Sequence, residues 1–222
     1  MSLRVEVLPD ADAVAERGAQ VVAAAATVAV AARDRFTFAV SGGRTPWAML
    51  SNLAGRMPWE KVTIFQVDER IGPDDDPERN LSHLLRSLPP VGAADVRAMP
   101  VWMEDLDAAA ALYADALPAE LDLLHLGLGP DGHTASLVPS DPVLAVVDRD
   151  VAVTGVYGGR RRMTLTYPAL NRARQILWLV TGADKIDALR RLREGDQSIP
   201  AAWIATESAL VLADVAAAGS AT

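Results

Sequence analysis

Short runs dense in β-branched and aromatic residues alternate along the chain with stretches rich in Ala, Leu and Arg. Each change of period marks a change of element. The apolar runs predict strands over 3–8, 36–40 (FTFAV), 62–67 (VTIFQV), 121–126 (LDLLHL), 150–154, 162–166, 175–181 (QILWLVT) and 209–213. Helices are predicted over 11–33, 46–55, 80–87, 106–116 and 184–193, with a short turn near the C-terminus. Strands alternating with helices predict an α/β protein with a mainly parallel sheet. The polar GPDDDPERN (72–80) reads as a long surface loop and 139–161 as a smaller irregular lobe. Neither a repeat of solenoid period nor a linker interrupts the pattern, so 1–222 reads as one domain.

The most apolar stretch, GAQVVAAAATVAVAA, is shorter than the ~20 residues a membrane span needs and contains Gln20 and Thr27. It reads as a buried helix. Asp10, Asp12 and Glu16 stand ahead of it where a secretion signal would carry basic residues. A net charge of -8 and a pI near 4.9 disfavour a nucleic-acid or anionic-membrane partner, so an anionic ligand must meet local positive charge. With no cysteine, disulfides, thiolate nucleophiles and zinc-thiolate sites are excluded, and a cytoplasmic setting is expected. No pair or cluster of the three histidines has metal-ligand spacing, so no metal is expected.

Three predicted strands run into polar, glycine-rich exits. FTFAV leads to SGGRTP (41–46), VTIFQV to DER (68–70) and LDLLHL to GLGPDGH (127–133). Ligands of open parallel α/β sheets bind at the carboxyl ends of strands, so the three exits point to one shared site. In the first, the Ser41 hydroxyl and the backbone of Gly42 and Gly43 suit an anion at a helix start, with Arg44 adding charge. The same residues also fit an ordinary turn with Thr45 as N-cap and Pro46 opening the helix. In the second, Asp68, Glu69 and Arg70 place two carboxylates and a guanidinium at one strand end.

The third exit matches two patterns. Gly127, Gly129 and Gly132 have the G-x-G-x-x-G spacing of a dinucleotide loop, with Asp148 and Asp150 near the distance of a ribose-binding acid. Pro139 and Pro142 stand where the crossover helix should run and limit it to two turns, which disfavours nucleotide binding. His133 suits chemistry better. An imidazole with an ordinary pKa of ~6.5 exchanges protons near neutrality, and Asp131 stands two residues away to orient it. His125, in an apolar strand, and His83, in a helix, are assigned to structure.

The motifs SGGRTP, VDER followed by Asn80, LGLGPDGHTASLVP, RRMTLTYPALNRA (161–173), VTGADKIDAL (180–189) and IPAAWI (199–204) resemble the 6-phosphogluconolactonase family in order and spacing. The likeness spans nearly the whole chain. A cousin, the glucosamine-6-phosphate deaminase/isomerase family, shares the serine–glycine–glycine loop and an Asp-Gly-His element. Its triplet reads Asp-Glu-Tyr and its histidine is followed by Ile-Ala-Phe-Asn, where this chain has Asp-Glu-Arg and Thr-Ala-Ser-Leu. Two departures from the lactonase pattern are Val138 in place of Phe and a missing Trp in ALVLAD (209–214).

The resemblance implies a Rossmann-like three-layer α/β/α fold with a small irregular or antiparallel lobe. It also implies cofactor-free hydrolysis of 6-phospho-D-glucono-1,5-lactone in the oxidative pentose phosphate pathway. His133 would be the general base, supported by Asp131. Ser41, Gly42, Gly43, Arg44, Asp68, Glu69, Arg70, Asn80, Gly129, Arg162 and Lys185 would surround the substrate, with the phosphate on one or more of Arg70, Arg162 and Lys185. The oxyanion donor is expected at Gly43 or near Gly129. A monomer or weak dimer is expected. The rival readings are a deaminating isomerase and a sugar-phosphate sensor, the latter disfavoured because the first strand starts near residue 3 and leaves no room for a DNA-binding segment ahead of it.

Overall fold

All five residues of FTFAV are buried, as are the five of ILWLV (176–180), as required of strands covered on both faces. Both lie in a large sheet of the computed structural model, which describes residues 3–89 and 94–219. In chain order the strands are β1 (Arg4–Leu8), β2 (Phe36–Val40), β3 (Val62–Gln66), β4 (Asp68–Arg70), β5 (Asp95–Arg97), β6 (Leu123–Gly127), β7 (Val151–Val153), β8 (Arg162–Leu165), β9 (Ile176–Val180) and β10 (Ala209–Asp214). Seven of them pair in parallel in the order β1-β10-β9-β6-β2-β3-β5. The other three form a separate antiparallel sheet, β4-β8-β7.

Alternate side chains of the large sheet enter opposite cores. Phe36, Phe38 and Val40 of β2 pack with Leu177 and Leu179 of β9 on one face. Ala39, Leu124, Leu126 and Trp178 pack on the other. The helices are α1 (Ala11–Arg33), α2 (Arg44–Ser51), α3 (Asn80–Ser87), α4 (Leu106–Ala116), α5 (Tyr167–Leu170), α6 (Ile186–Glu194) and α7 (Val215–Ala218). By length and composition α1 is apolar enough to cross a membrane. Here its stripe of Val14, Ala15, Gly18, Ala19, Val22, Ala26 and Ala29 is buried, at the helical spacing of a core-facing face. The Asp10 carboxylate caps its first turn through the Ala13 N–H, and Asp34 ends it in a left-handed conformation.

The sequence-based elements need correction at β4, β5 and α2. DER is itself a strand, β4, and DVR forms β5; neither is expected from the sequence, because charged residues fill all of DER and two of the three positions of DVR. Helix α2 starts at Arg44 with Gly43 as N-cap, because the Thr45 hydroxyl is hydrogen-bonded to that of Thr181 at 2.9 Å instead of capping. The run 139–161, expected as a small lobe, holds the expected strand β7 and a 3-10 turn at Pro142–Ala145, and through β7 it joins the small antiparallel sheet. No helix follows the glycine loop of 127–133; Thr134 and Leu137 form an isolated bridge there.

From β2 the chain winds outward to β3 and β5, then returns to β6 on the other flank of β2. The winding reverses between β2 and β6, which opens a crevice at their carboxyl ends.

Candidate active site

A cavity of about 450 Å³ occupies that crevice. Ser41, Gly42, Gly43, Arg44 and Trp47 line it from the β2 exit, Asp68 and Arg70 from β4, Gly127 to Pro130 and His133 from the β6 exit, and Arg162 from β8. Asn80 and His83 of α3 and Lys185 ahead of α6 complete the wall. The three exits therefore do converge. Four cations, Arg44, Arg70, Arg162 and Lys185, meet in a chain of net charge -8, the local positive charge that an anionic ligand needs.

The β6 exit is shaped around one imidazole. His133 Nδ1 lies 2.6 Å from Asp131 Oδ1, and the same oxygen accepts the His133 backbone N–H at 3.1 Å. A carboxylate on Nδ1 places the proton there and leaves Nε2 as the basic nitrogen. Burial alone would raise the Asp131 carboxyl, but the His133 amide and imidazole outweigh it and hold it below the usual carboxylate range. The loop closes through Gly129 N–H to His133 C=O at 2.8 Å, which occupies the Gly129 amide and removes it as an oxyanion donor. Gly129 packs so close to the ring that an added Cβ would stand 2.1 Å from His133 Nδ1. Gly132 has a φ of +81°, the left-handed region that favours glycine, and a Cβ there would lie 2.4 Å from Ile199 Cβ. Its carbonyl accepts the Ala201 N–H at 3.0 Å, so the 199–201 segment braces the loop from behind.

The second exit divides by strand geometry. Successive side chains of β4 point to opposite sides, so Asp68 and Arg70 reach the cavity while Glu69 faces away. Glu69, expected to touch substrate, is fully buried beneath the loop. It accepts the N–H groups of Arg70, Asn80 and Leu81 at 2.7 to 2.8 Å and the Gln66 amide at 2.9 Å. Its work is to anchor the start of α3. Asn80 is also a clamp: its amide donates to the Asp68 carbonyl at 2.9 Å and its carbonyl accepts from Arg70 at 2.9 Å. Burial pushes the Asp68 carboxyl up, against the opposing pull of the Ser136 hydroxyl 2.7 Å away and the Arg162 charge.

At the first exit the Ser41 hydroxyl is buried without a hydrogen-bond partner among the described residues. Its amide donates to His125 Nδ1 at 3.3 Å. Burial lowers the His125 pKa to about 3, so this ring is neutral scaffolding, as expected. Gly43 has a φ of +141°, and its N–H has no backbone acceptor among the described residues. No three His, Asp or Glu side chains converge in metal-binding fashion among the described residues.

Residues 9–212 match the profile of the glucosamine-6-phosphate isomerases/6-phosphogluconolactonase family. The chain belongs to that family. Among its relatives, a 6-phosphogluconolactonase of Synechocystis sp. is 37% identical over 230 residues, covering 95% of each chain. One from Nostoc sp. is 34% identical, covering 99% of this chain and 98% of the other. The fold is likewise shared. A 6-phosphogluconolactonase structure from Shewanella baltica superposes with a TM-score of 0.87 at 24% identity, covering 96% of this chain and 97% of that one. A monomeric glucosamine-6-phosphate deaminase gives 0.83 at 18%, covering 97% and 99%.

Within this family frame, three side chains of the site went unread in the sequence. His83, assigned to structure, lines the cavity and stacks on Trp47 with ring centroids 6.1 Å apart. Their spacing from the glycine loop and from Asn80, three or four residues along each helix, was the signal that could have found them. Tyr157 stacks edge-on against His133 at 5.4 Å. Val138, where a Phe was expected, is buried without reaching the cavity wall.

Proposed function

We propose that the protein hydrolyses 6-phospho-D-glucono-1,5-lactone to 6-phosphogluconate, a step of the oxidative pentose phosphate pathway. The observation that carries this reading is the His133–Asp131 pair opening onto a cavity lined by four cations. Lactonase-named relatives at 34–37% identity over nearly the whole chain support the same choice. His133 Nε2 takes a proton from water, whose oxygen attacks the lactone carbonyl. The tetrahedral oxyanion is held by the Gly43 amide, at the positive end of α2. As the bond from the carbonyl carbon to the ring oxygen breaks, the imidazolium returns its proton to that oxygen, and the new carboxylic acid releases one proton to solvent. No cofactor enters this scheme. Arg70, Arg162 and Lys185 supply charge for the phosphate, whose own charge near neutrality is ~-1.5 to -2.

A deaminating isomerase, the other branch of the family, moves a proton between neighbouring carbons of an amino sugar. Arg70 in place of its tyrosine and Thr-Ala-Ser-Leu after His133 favour the lactonase. The test is a lactone-hydrolysis assay at neutral pH with the spontaneous rate subtracted, run beside an ammonia assay on glucosamine 6-phosphate. Rapid lactone loss and no ammonia is the expected result. Ammonia at enzymatic rates with lactone decaying at its spontaneous pace would overturn the assignment.

Arg70 is held at the wall by Asn80 Oδ1 at 2.9 Å and the Glu78 carbonyl at 2.5 Å. Arg70→Ala should weaken kcat/KM by ~1.5 to 3 kcal/mol, as loss of a charge-assisted hydrogen bond to substrate does, mainly through KM. Steady-state kinetics on the lactone check this; an unchanged KM would remove Arg70 from the anion site.

A further inference from the structure

The hairpin between β7 and β8 carries an aromatic ring into the site. Gly158 and Gly159, with φ of +59° and +79°, make a tight turn closed by Tyr157 N–H to the Arg160 carbonyl at 2.9 Å. Arg160 pairs with Asp76, and Ile71 N–H bonds the Arg161 carbonyl at 3.1 Å, so the hairpin is fastened to the 72–80 loop. Tyr157 thereby has three neighbours in the site. Its hydroxyl donates to Asp131 Oδ2 at 3.3 Å, its ring meets His133 at 5.4 Å and 64°, and the Arg162 guanidinium covers its face 5.2 Å from the centroid.

Asp131 meets Tyr157 at its hydroxyl and Arg162 covers its face, so one side chain touches both an anion and a cation. The ion pair that Asp131 makes is with His133. Arg162 Nε is buried without an acceptor among the described residues, so its guanidinium holds unspent donors. A planar guanidinium with free donors closes readily onto a carboxylate, often in a two-point contact stronger than an imidazole makes.

We infer that Tyr157 is a positioning residue, an aromatic spacer that keeps the Arg162 guanidinium off Asp131, so that Asp131 holds the His133 proton at Nδ1 and Arg162 stays turned to the cavity. The ring does this by offering Arg162 its electron-rich face in place of the carboxylate. The hydroxyl adds a donor to the Asp131 oxygen that His133 does not use. Burial and the neighbouring Asp131 charge push the phenol pKa up, which keeps it a donor through the neutral range. Removing the ring lets Arg162 take the carboxylate, and two functions fail together: the imidazole loses its orienting partner and the cavity loses a cation.

The kinetic consequence rests on the lactonase reading, whereas the spectroscopic one does not. In Tyr157→Leu, kcat should fall about tenfold or more while KM rises. Tyr157→Phe keeps the spacer and should recover both to within about threefold. Ring nitrogen NMR shifts of His133, recorded above neutrality without substrate, should report the Nδ1–H form in the parent and in Tyr157→Phe. A mixture with the Nε2–H form should appear in Tyr157→Leu, and adding Arg162→Met to that variant should restore the Nδ1–H form. A Tyr157→Leu protein that is folded by circular dichroism and keeps the parent His133 shifts overturns the proposal. So does a double variant in which the mixture persists. A parent protein without lactonase activity but with these shifts would instead sink the proposed reaction and leave the spacer standing.

Discussion

His133→Ala will lower kcat for lactone hydrolysis by ~100 to 10,000-fold, the range expected for loss of a general base. The side chain is part-exposed at the cavity wall, and its ring bonds only Asp131 and meets Tyr157 and Gly129 at its edges, so its removal costs packing at the surface of the cavity and not in the core. The loop itself is held by main-chain bonds that alanine retains, Gly129 N–H to the residue 133 carbonyl and Gly132 N–H to the Gly129 carbonyl. The variant should therefore melt within a few degrees of the parent while its turnover falls toward the spontaneous rate. Single-turnover and steady-state assays, with the melting temperature measured alongside, check both halves. More than about a third of parental kcat in a folded His133→Ala protein would require another base. His83→Ala, which removes a ring stacked on Trp47 at the cavity wall, should spare the chemical step by comparison.

Gly129→Ala is expected to approach the same loss without altering any group that performs chemistry. A Cβ at this position would stand 2.1 Å from His133 Nδ1, 2.2 Å from Cε1 and 2.7 Å from Asp131 Oδ1, distances no real contact tolerates. Main chain cannot give way cheaply, because the Gly129 N–H and C=O are both bonded within the loop. The imidazole must swing off Asp131, and a misplacement of about 1 Å at a reacting group costs on the order of 100-fold in rate. The predicted signature is a collapse of kcat larger than any change in KM. If Gly129→Ala turned over at near-parental rates, the pairing of His133 with Asp131 would not be the working geometry.

The residue pattern foretold the parts of this molecule that have a long period or a chemical cap. Helices α3 and α4 lie over the predicted residues, α4 because Asp105 caps it through the Asp107 and Ala108 N–H groups. The buried strands β2 and β9 were legible as apolar runs. Strands β4 and β5 were not, since DER and DVR are mostly charged and read as exposed turns, unlike the equally short but apolar VAV of β7. That gap had a price at the site. Had β4 been recognised as a strand, period two would have sent Asp68 and Arg70 one way and Glu69 the other. Within the glycine loop, only coordinates could decide that the Gly129 amide is already bonded, which left Gly43 as the oxyanion donor of the proposed reaction. Tyr157 was hidden because its neighbours His133 and Asp131 come from the distant glycine loop; the Tyr-Gly-Gly-Arg turn implies a hairpin, not what the hairpin touches.

The brace behind the glycine loop changes how a saturation-mutagenesis map of this protein should look. Ile199 and Ala201 are fully buried and line no part of the cavity, yet Ile199 abuts Gly132 and Ala201 binds its carbonyl. Substitutions there shift the main chain that carries His133. A scan scored by rate would colour positions 199–201 as intensely as the loop itself, while a scan scored by substrate affinity would leave them pale. Two such maps laid over one another would outline a supporting wall that no ligand-bound structure could reveal by proximity alone.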